Sequence, residues 1–325
     1  MPKNKFIHLF YCPMTGLGFY NGYRGDTWLK HRIDIFKSYV IPSLCAQKNN
    51  NFYVWMSWRP EERGNKIVED FQNALTYLRD VEVIHTFGGL CFWDDKYEDS
   101  VASVRLKEAL ARSLPQLENL TSEADYVIIT IQPSDDMYIS TAAQEIQDKF
   151  TELLDKGDIP PIAVGWEEGY ILNMATKELS EYSTTDWETD EVSTYTTNTN
   201  PPFFSILYTR DVFVDPEKHY KHIGPYKSHE YIAEHMPYHA LEGRGFIVGT
   251  HGANISTTFN HRYKGRLLEG DEKDRVLMNA GIFFSPSIVI REGIHLWARK
   301  VLNKIPGEAW LRRWYRTWPI WMKIL

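Results

Sequence analysis

The sequence predicts an α/β fold: a single domain with a mostly parallel central sheet flanked by helices, followed by a C-terminal helical tail. The first observation is a rhythm in residues 1–140, where short apolar, β-branched runs alternate with longer stretches of helical period. The second is size, because 325 residues supply enough material for a substantial core. The third is continuity: the sequence has no internal repeat and no linker-like segment, which favours one compact domain over residues 1–298.

Four runs in the first half predict strands, because they are short, apolar and rich in β-branched or aromatic residues. They are residues 6–12, 52–58, 81–85 and 126–131. Between them, apolar side chains recur at helical spacing in residues 33–40, just before Pro42, and in residues 67–78 and 101–118. Each predicted helix can cover one face of the sheet through a right-handed crossover, and ligands of such sheets bind beyond the carboxyl ends of the strands.

The second half of the sequence is less regular. Residues 162–166, 203–208 and 246–250 predict further strands, and residues 227–236 predict a helix that ends at Pro237. Residues 183–200 are crowded with Ser, Thr, Asn and acidic side chains, which indicates a surface loop or hairpin. A loop of this kind could close over a ligand as a lid.

The tail, residues 299–325, differs from the rest in charge and aromatic content. It carries seven Lys or Arg residues against one acid, Glu308, and Trp310, Trp314 and Trp318 follow one another at intervals of four before Pro319. Such a helix can lie among lipid headgroups, so residues 310–325 predict contact with a membrane surface. The alternative is that the tryptophans pack on the main domain or on a second subunit, and amphipathicity does not choose between the two.

Composition excludes several classes of protein. The formal net charge of -7 argues against wholesale binding of nucleic acid, which needs a basic surface. Three scattered cysteines are too few for a disulfide framework or a zinc site. The sequence shows no signal-peptide pattern and no apolar run of membrane-spanning length. We therefore expect a cytoplasmic protein, which the tail could place peripherally on the cytoplasmic face of a membrane.

The strongest chemical signal is the pair Asp135 and Asp136, which follows the predicted strand 126–131. Carboxylates at the carboxyl end of a central strand lie where a ligand binds, and their oxygens suit a hard divalent cation such as Mg or Mn. A cation held there could stabilise the charge on a departing diphosphate. The alternative is that Ser134 and the two aspartates cap the next helix through its free N–H groups.

Two further candidates come from the second half. His251 follows the predicted strand 246–250, with Gly249 and Gly252 as small neighbours that would let a phosphate approach the backbone. A turn histidine is the alternative reading. Glu230, at the start of the predicted helix 227–236, could act as a general base toward an acceptor hydroxyl, or it could simply be a solvated residue favoured by the helix dipole.

Several short motifs, in this order, resemble the rhamnosyltransferase-like family of GT-A glycosyltransferases. They are His31-Arg32 with Phe36, Ile41-Pro42-Ser43-Leu44 with Gln47, Asn51-Phe52-Tyr53-Val54-Trp55, Ser134-Asp135-Asp136 and His251-Gly252-Ala253-Asn254. The likeness extends over roughly residues 5–260. The sequence departs from the family at Pro133, where such families commonly begin the acidic motif with an aspartate, so one carboxylate is missing.

The resemblance implies a GT-A-like enzyme that transfers a sugar, as a hexosyltransferase does, from a nucleoside diphosphate sugar to a hydroxyl of a glycan or lipid-linked acceptor. It implies a donor half at residues 1–140, an acceptor half at 141–298, and Mn or Mg bound by Asp135, Asp136 and His251. Asp136 is the first choice for the metal, so Asp136→Asn is expected to abolish transfer.

Further roles follow from the same resemblance. Asp135, Arg24 and Gly252 would contact the donor, Glu230 would be the base of an inverting reaction, and Arg32 would support its helix.

Two other classes remain open on the sequence. A glycoside hydrolase would need two carboxylates some 5 to 10 Å apart and neither nucleotide nor cation. A non-catalytic sugar-binding or membrane-docking module would use the acidic pair merely as a helix cap.

Overall fold

The computed structural model describes most of the chain. The described residues are 5–15, 25–78, 81–89, 99–183, 204–223, 232–251, 259, 264–284 and 286–303.

The strands of this part form one ten-stranded sheet. They are β1 Phe6–Pro13, β2 Tyr53–Ser57, β3 Glu82–Thr86, β4 Tyr126–Ile131, β5 Met137–Tyr138, β6 Ile162–Asn173, β7 Leu179–Ser183, β8 Phe204–Thr209, β9 Tyr238–Thr250 and β10 Lys264–Leu268. The order is β10-β7-β6-β8-β4-β1-β2-β3, and β9 pairs with the other edge of β6 and with β5.

The helices surround this sheet. They are α1 Asp26–Ile35, α2 Ile41–Cys45, α3 Lys66–Leu75, α4 Asp99–Ser113, α5 Glu118–Thr121, α6 Ala142–Asp155, α7 Arg210–Val214, α8 Pro216–Ile223, α9 Ile232–His235, α10 Gly270–Asn279 and α11 Pro286–Asn303. A π-helical turn, Phe36–Val40, joins α1 to α2, and the helical path continues through Pro42 because this residue lies in the first turn of α2, where it needs no N–H partner.

The predicted mostly parallel sheet flanked by helices is confirmed. Strands β1, β2, β3 and β4 run parallel, while β8 runs antiparallel between β4 and β6. The chain proceeds outward from β1 to β2 and β3, then returns to place β4 on the other side of β1. This reversal between β1 and β4 is a switch point, and a crevice at the carboxyl ends of the two strands is the usual ligand site of such a sheet.

Alternating side chains of β1 explain the layers. Phe10 and Cys12 pack into the apolar cluster on one face of the sheet, whereas Leu9 and Tyr11 pack into the cluster on the other. The first cluster includes residues of α1, α3 and α6, and the second includes residues of α4 and α7. Both faces of the central strands are therefore buried, which explains why these strands are almost continuously apolar.

The sequence underestimates the length and the number of strands in the second half. Strand β6 extends beyond the predicted 162–166, and β9 begins well before the predicted 246–250. Short strands β5, β7 and β10 were not predicted, because isolated runs of two to five residues carry little periodicity of their own. The third predicted helix, 101–118, is instead α4 followed by the 3-10 turn Leu114–Leu117 and α5.

Two predicted features lie mostly outside the described residues. These are the loop after Ser183 and the tail beyond Asn303, so the lid and the tail stay predictions. Helix α11 runs continuously across residue 298, the predicted end of the main domain. No helix in the described ranges combines the length and apolarity that a bilayer crossing requires.

Candidate functional site

The carboxyl ends of β1 and β4 meet a group of charged side chains. Burial raises the pKa of the Cys12 thiol near the end of β1, and this thiol is also influenced by the charges of Arg32 and Asp135. These two charges therefore lie beside the end of the central strand, at the switch point of the sheet.

The turn from β4 to β5 holds the acidic pair. The Gln132 N–H donates to the Tyr11 carbonyl at 2.8 Å, which extends the pairing of β1 and β4 by one residue. The Gln132 amide then donates to the carbonyls of Pro133 and Asp136 at 2.9 and 2.8 Å. The turn is thus fixed by its own first side chain.

The alternative that Ser134 and the aspartates cap the next helix is wrong. The chain leaves the turn as strand β5, and α6 begins only at Ala142, after Thr141.

Asp136 faces the protein interior. Only 6% of the residue is exposed, and its Oδ1 accepts the N–H of Gly249 on β9 at 2.7 Å. Burial, followed by the neighbouring charge of Asp135, raises the pKa of Asp136 well above its usual range. The Asp136 side chain is therefore a buried tether between the turn and β9.

Gly249 has to be a glycine for this contact to form. A Cβ at this position would overlap the carbonyl oxygen of Asp135 and approach the Met174 side chain at 2.6 Å. The small residue that the sequence suggested for phosphate approach is therefore needed for the close contact of β9 with the acidic turn.

Asp135 is the carboxylate of the pair that reaches the crevice. Its side chain is 15% exposed, forms an ion pair with Arg32, and places Oδ2 3.0 Å from His251 Nε2. Burial alone would raise its pKa, but the Arg32 charge and the His251 hydrogen bond outweigh burial and hold the pKa well below its usual range. Asp135 is therefore ionised.

His251 completes a group that we call the charged cluster: Arg32, Asp135 and His251. Its Nε2 lies 3.2 Å from Arg32 Nη1. Burial lowers the pKa of the ring, and the hydrogen bond with Asp135 only partly opposes this. The cluster therefore contains one cation, one anion and one neutral imidazole.

Helix α1 supplies the cation of the cluster. Gly25 turns the chain into this helix with φ of 91°, a conformation that other residues rarely adopt. Arg32 is 7% exposed and lies 5.6 Å from the ring centroid of Trp28, one helical turn earlier. Among the described residues, no acceptor contacts Arg32 Nε or Trp28 Nε1, both of which are buried. Two N–H donors of one helix face thus await an acceptor.

A second buried group adjoins the cluster. His31 Nε2 lies 2.7 Å from Glu292 Oε1 on α11, and the rings of His31 and His251 meet edge to face at 5.7 Å. One ligand atom from each of His31, His251 and Glu292 falls within 4.8 Å of the others, so in the described ranges these three residues form a group with the chemistry to hold a metal ion.

Neither group fits a hard divalent cation as it stands. Asp135 already has the Arg32 guanidinium on its oxygen, and the Asp136 carboxyl is engaged with Gly249. Mg or Mn would need several free oxygen ligands here and would face a like charge. At the second group, Arg291 Nε lies 3.5 Å from Glu292 Oε1, so a cation there would also meet a guanidinium.

The structure brings together three of the predicted site residues: Asp135, Asp136 and His251. Arg24, Glu230 and Gly252 lie outside the described residues, and their roles stay predictions. Sequence reasoning gave Arg32 only a supporting role and assigned none to Glu292. The quoted motif His31-Arg32 was the available signal for Arg32, because two polar residues on a largely buried helix require partners.

Comparisons with known proteins give distant likenesses only. S. aureus TarS matches over 87% of this chain with 14% identity and a TM-score of 0.30, and the chain spans 44% of TarS. A candidate nucleotide-diphospho-sugar transferase from Desulfovibrio desulfuricans G20 matches over 76% of this chain and 82% of its own length, with 10% identity and a TM-score of 0.31. Mouse xyloside xylosyltransferase 1 in its apo form matches over 74% and 85%, with 12% identity and a TM-score of 0.32.

No family model matches the sequence, and no curated protein matches it either. Structural likenesses at TM-scores near 0.3 do not bear on the reaction. The function has to be inferred from the residues of the chain.

Proposed function

We propose that this chain is a glycosyltransferase that takes a sugar from a nucleoside diphosphate sugar. The observation that carries the proposal is the charged cluster at the switch point, where Arg32 Nε and Trp28 Nε1 have no acceptor in the described part of the chain. Buried N–H donors beside a cation suit an anionic, oxygen-rich ligand such as a diphosphate. The GT-A-like motif order in the sequence supports the same substrate class.

The proposed transfer balances as follows. The acceptor oxygen forms a bond to the anomeric carbon of the sugar while the bond from that carbon to the diphosphate oxygen breaks. The nucleoside diphosphate leaves with the electron pair and gains one negative charge, and the proton of the acceptor hydroxyl passes to a base. Donors fixed in a buried site stabilise the growing charge more effectively than water does.

Asp135 is the carboxylate we assign to the donor side, in preference to Asp136. It is ionised and reaches the crevice, whereas Asp136 is buried and accepts a backbone N–H.

Other parts of the proposal depend on residues outside the described ranges. Glu230 would be the base if the reaction inverts the anomeric centre, Arg24 and Gly252 would contact the donor, and residues 183–200 would close over it to exclude water. The acceptor would be a glycan or lipid-linked hydroxyl. A cytoplasmic enzyme with residues 310–325 on a membrane surface would have access to the lipid-linked kind.

A glycoside hydrolase is less consistent with the geometry. Its two carboxylates act from opposite sides of the scissile bond, with one as acid and the other as base or nucleophile. Here the adjacent carboxyl groups are committed differently, because Asp135 is paired with Arg32 and Asp136 is turned toward Gly249.

A thermal-shift panel tests the proposed function. Uridine, guanosine and thymidine diphosphates are each added to the full chain with Mn²⁺ and, separately, with EDTA. A ligand that binds only the folded state at about 100 times its Kd adds about 2.7 kcal/mol to stability, so one nucleotide should raise the Tm in at least one condition. A panel without any shift would contradict the proposal and favour a module that does not bind nucleotides.

A further inference from the structure

We infer that the guanidinium of Arg32, rather than a divalent cation, binds the diphosphate of the donor, with Asp135 and His251 as the residues that position it. The inference rests on the proposed function and goes further, because it assigns the cation of the site to a side chain and makes nucleotide binding independent of metal.

The positive charge of the site lies on Arg32. Arg32 Nη1 makes the ion pair with Asp135 and lies 3.2 Å from His251 Nε2, so a guanidinium contacts both the carboxylate and the imidazole that the sequence assigns to a metal. A dication brought to the same oxygen would have to displace this charge or bear its repulsion.

Arg32 also has an N–H group that could bind a ligand. Its described contacts to Asp135 and His251 run through Nη1, whereas Nε is buried and has no acceptor among the described residues. A guanidinium offers its N–H groups in a planar fork that matches two phosphate oxygens, and an unpaired N–H in a buried site is costly. A diphosphate oxygen would supply the missing acceptor.

Neighbouring side chains keep the Arg32 guanidinium in place. Asp135 holds it from one side, and the Trp28 ring lies 5.6 Å away on the same helix. Trp28 Nε1 is a second buried donor without an acceptor in the described ranges. The helix therefore presents two donors fixed before the ligand arrives, which lowers the entropy cost of binding.

Calorimetric titration of the full chain with each nucleoside diphosphate, in EDTA and in Mn²⁺, separates the possible outcomes. We expect the nucleotide that binds to have Kd values within about threefold of each other in the two conditions, because binding does not use the metal. Binding that weakens more than about tenfold in EDTA would overturn the inference but leave the proposed function intact. No binding in either condition would overturn both.

Variants identify the residue responsible. Arg32→Lys keeps the charge but loses the planar fork, so we expect the Kd in EDTA to rise at least about tenfold. Arg244→Lys is the matched control, because Arg244 is also ion-paired but contacts Glu168 at 3.1 Å and Glu181 instead of Asp135. Equal affinities for Arg32→Lys and wild type would overturn the inference.

Asp135→Asn keeps the test decisive even if Arg32→Lys fails to fold. If Asp135 were a metal ligand, its neutralisation would weaken binding in Mn²⁺ and leave binding in EDTA as in wild type. If it positions Arg32, the guanidinium loses its ion-pair partner in both conditions, so we expect the Asp135→Asn Kd to rise by the same factor, at least about threefold, in EDTA and in Mn²⁺. A Kd that rises more than about tenfold in Mn²⁺ but keeps its wild-type value in EDTA, in a variant whose fold persists by circular dichroism, would overturn the inference.

Discussion

Two buried polar groups of the molecule, one neutral and one charged, differ in how completely their polar atoms are hydrogen-bonded. The neutral network joins β1, β4, β8 and α6: His8 Nε2 lies 2.7 Å from Thr130 Oγ1, which lies 2.6 Å from Ser205 Oγ, and Gln147 Nε2 lies 3.1 Å from His8 Nδ1. Its members satisfy one another. The charged cluster instead retains a buried N–H of Arg32 without an acceptor in the described chain.

Burial is common to both groups, so burial alone does not indicate a functional site. Both groups are removed from water, and burial lowers the pKa of His8 to about 3, so this ring is neutral at pH 7. The network lies within the sheet, where its hydrogen bonds join strands that are already paired. The charged cluster lies at the carboxyl edge of the sheet. There, an N–H donor of Arg32 that has no acceptor in the described residues can bind a ligand.

The largest expected effect comes from removing the cation of the cluster. In Arg32→Ala, donor turnover should fall by about 10²- to 10³-fold, as it does when one donor to a developing charge is lost. The matched change in the network, Thr130→Val, should lower stability by about 1–3 kcal/mol and leave turnover close to wild type. Release of nucleoside diphosphate and urea unfolding measure the two effects, and equal loss of turnover in both variants would erase the distinction.

The next effect concerns the close approach of β9 to the acidic turn. Gly249→Ala forces a Cβ onto the Asp135 carbonyl and should destabilise the fold by about 1–3 kcal/mol. Because the turn must move, turnover should fall as well. Gly157→Ala is a contrasting variant: no atom lies within 4 Å of its added Cβ, so its effect comes only from the backbone φ of 92°. Gly249→Ala with wild-type unfolding and turnover would contradict the described contact.

The neutral network should make the stability of the fold depend on pH through His8. His8 takes up a proton only near pH 3 in the folded state, but near 6.5 when unfolded, so the unfolded chain binds more protons between these values. Stability should therefore fall as pH falls through that window, by up to roughly 1.4 kcal/mol per unit from this residue. Urea unfolding at pH 7, 6 and 5 should show a shallower slope for His8→Gln than for wild type. Identical slopes would mean that His8 is not buried in neutral form.

The smallest effect is expected at Asp136. Burial raises the pKa of its carboxyl group and so disfavours the charged form, and an asparagine can keep the oxygen that accepts the Gly249 N–H. Turnover of Asp136→Asn should remain within about threefold of wild type, and its stability within about 1 kcal/mol. This reverses the expectation from the sequence that the substitution abolishes transfer. Loss of turnover with an intact fold would restore Asp136 as the ligand-binding carboxylate.

The sequence predicts the central sheet well because its strands are buried on both faces and therefore read as short apolar runs. It also predicts where the acidic pair lies, since Asp135 follows directly from β4. It does not predict which acid is buried. That is decided by pairing of the two-residue strand β5 with β9, and the first half of β9 is too exposed and too rich in glycine to show a strand pattern.

Long-range contacts account for the rest. His31 and Glu292 are 261 positions apart, and no local pattern connects them. The contact of Arg32 with Asp135 depends equally on the fold, because α1 has to deliver its residues to the turn after β4, a strand that follows much later in the chain.

The most direct test of the account observes the Arg32 Nε–H itself. Arginine labelled with ¹⁵N at Nε is incorporated into the full chain, and the Arg32 resonance is assigned by its absence from Arg32→Lys. On addition of the nucleoside diphosphate in EDTA, we predict a change in the Arg32 Nε–H resonance as this donor gains a phosphate acceptor, with the Arg244 resonance unchanged. Saturation with nucleotide that leaves the Arg32 resonance where it was would contradict the account.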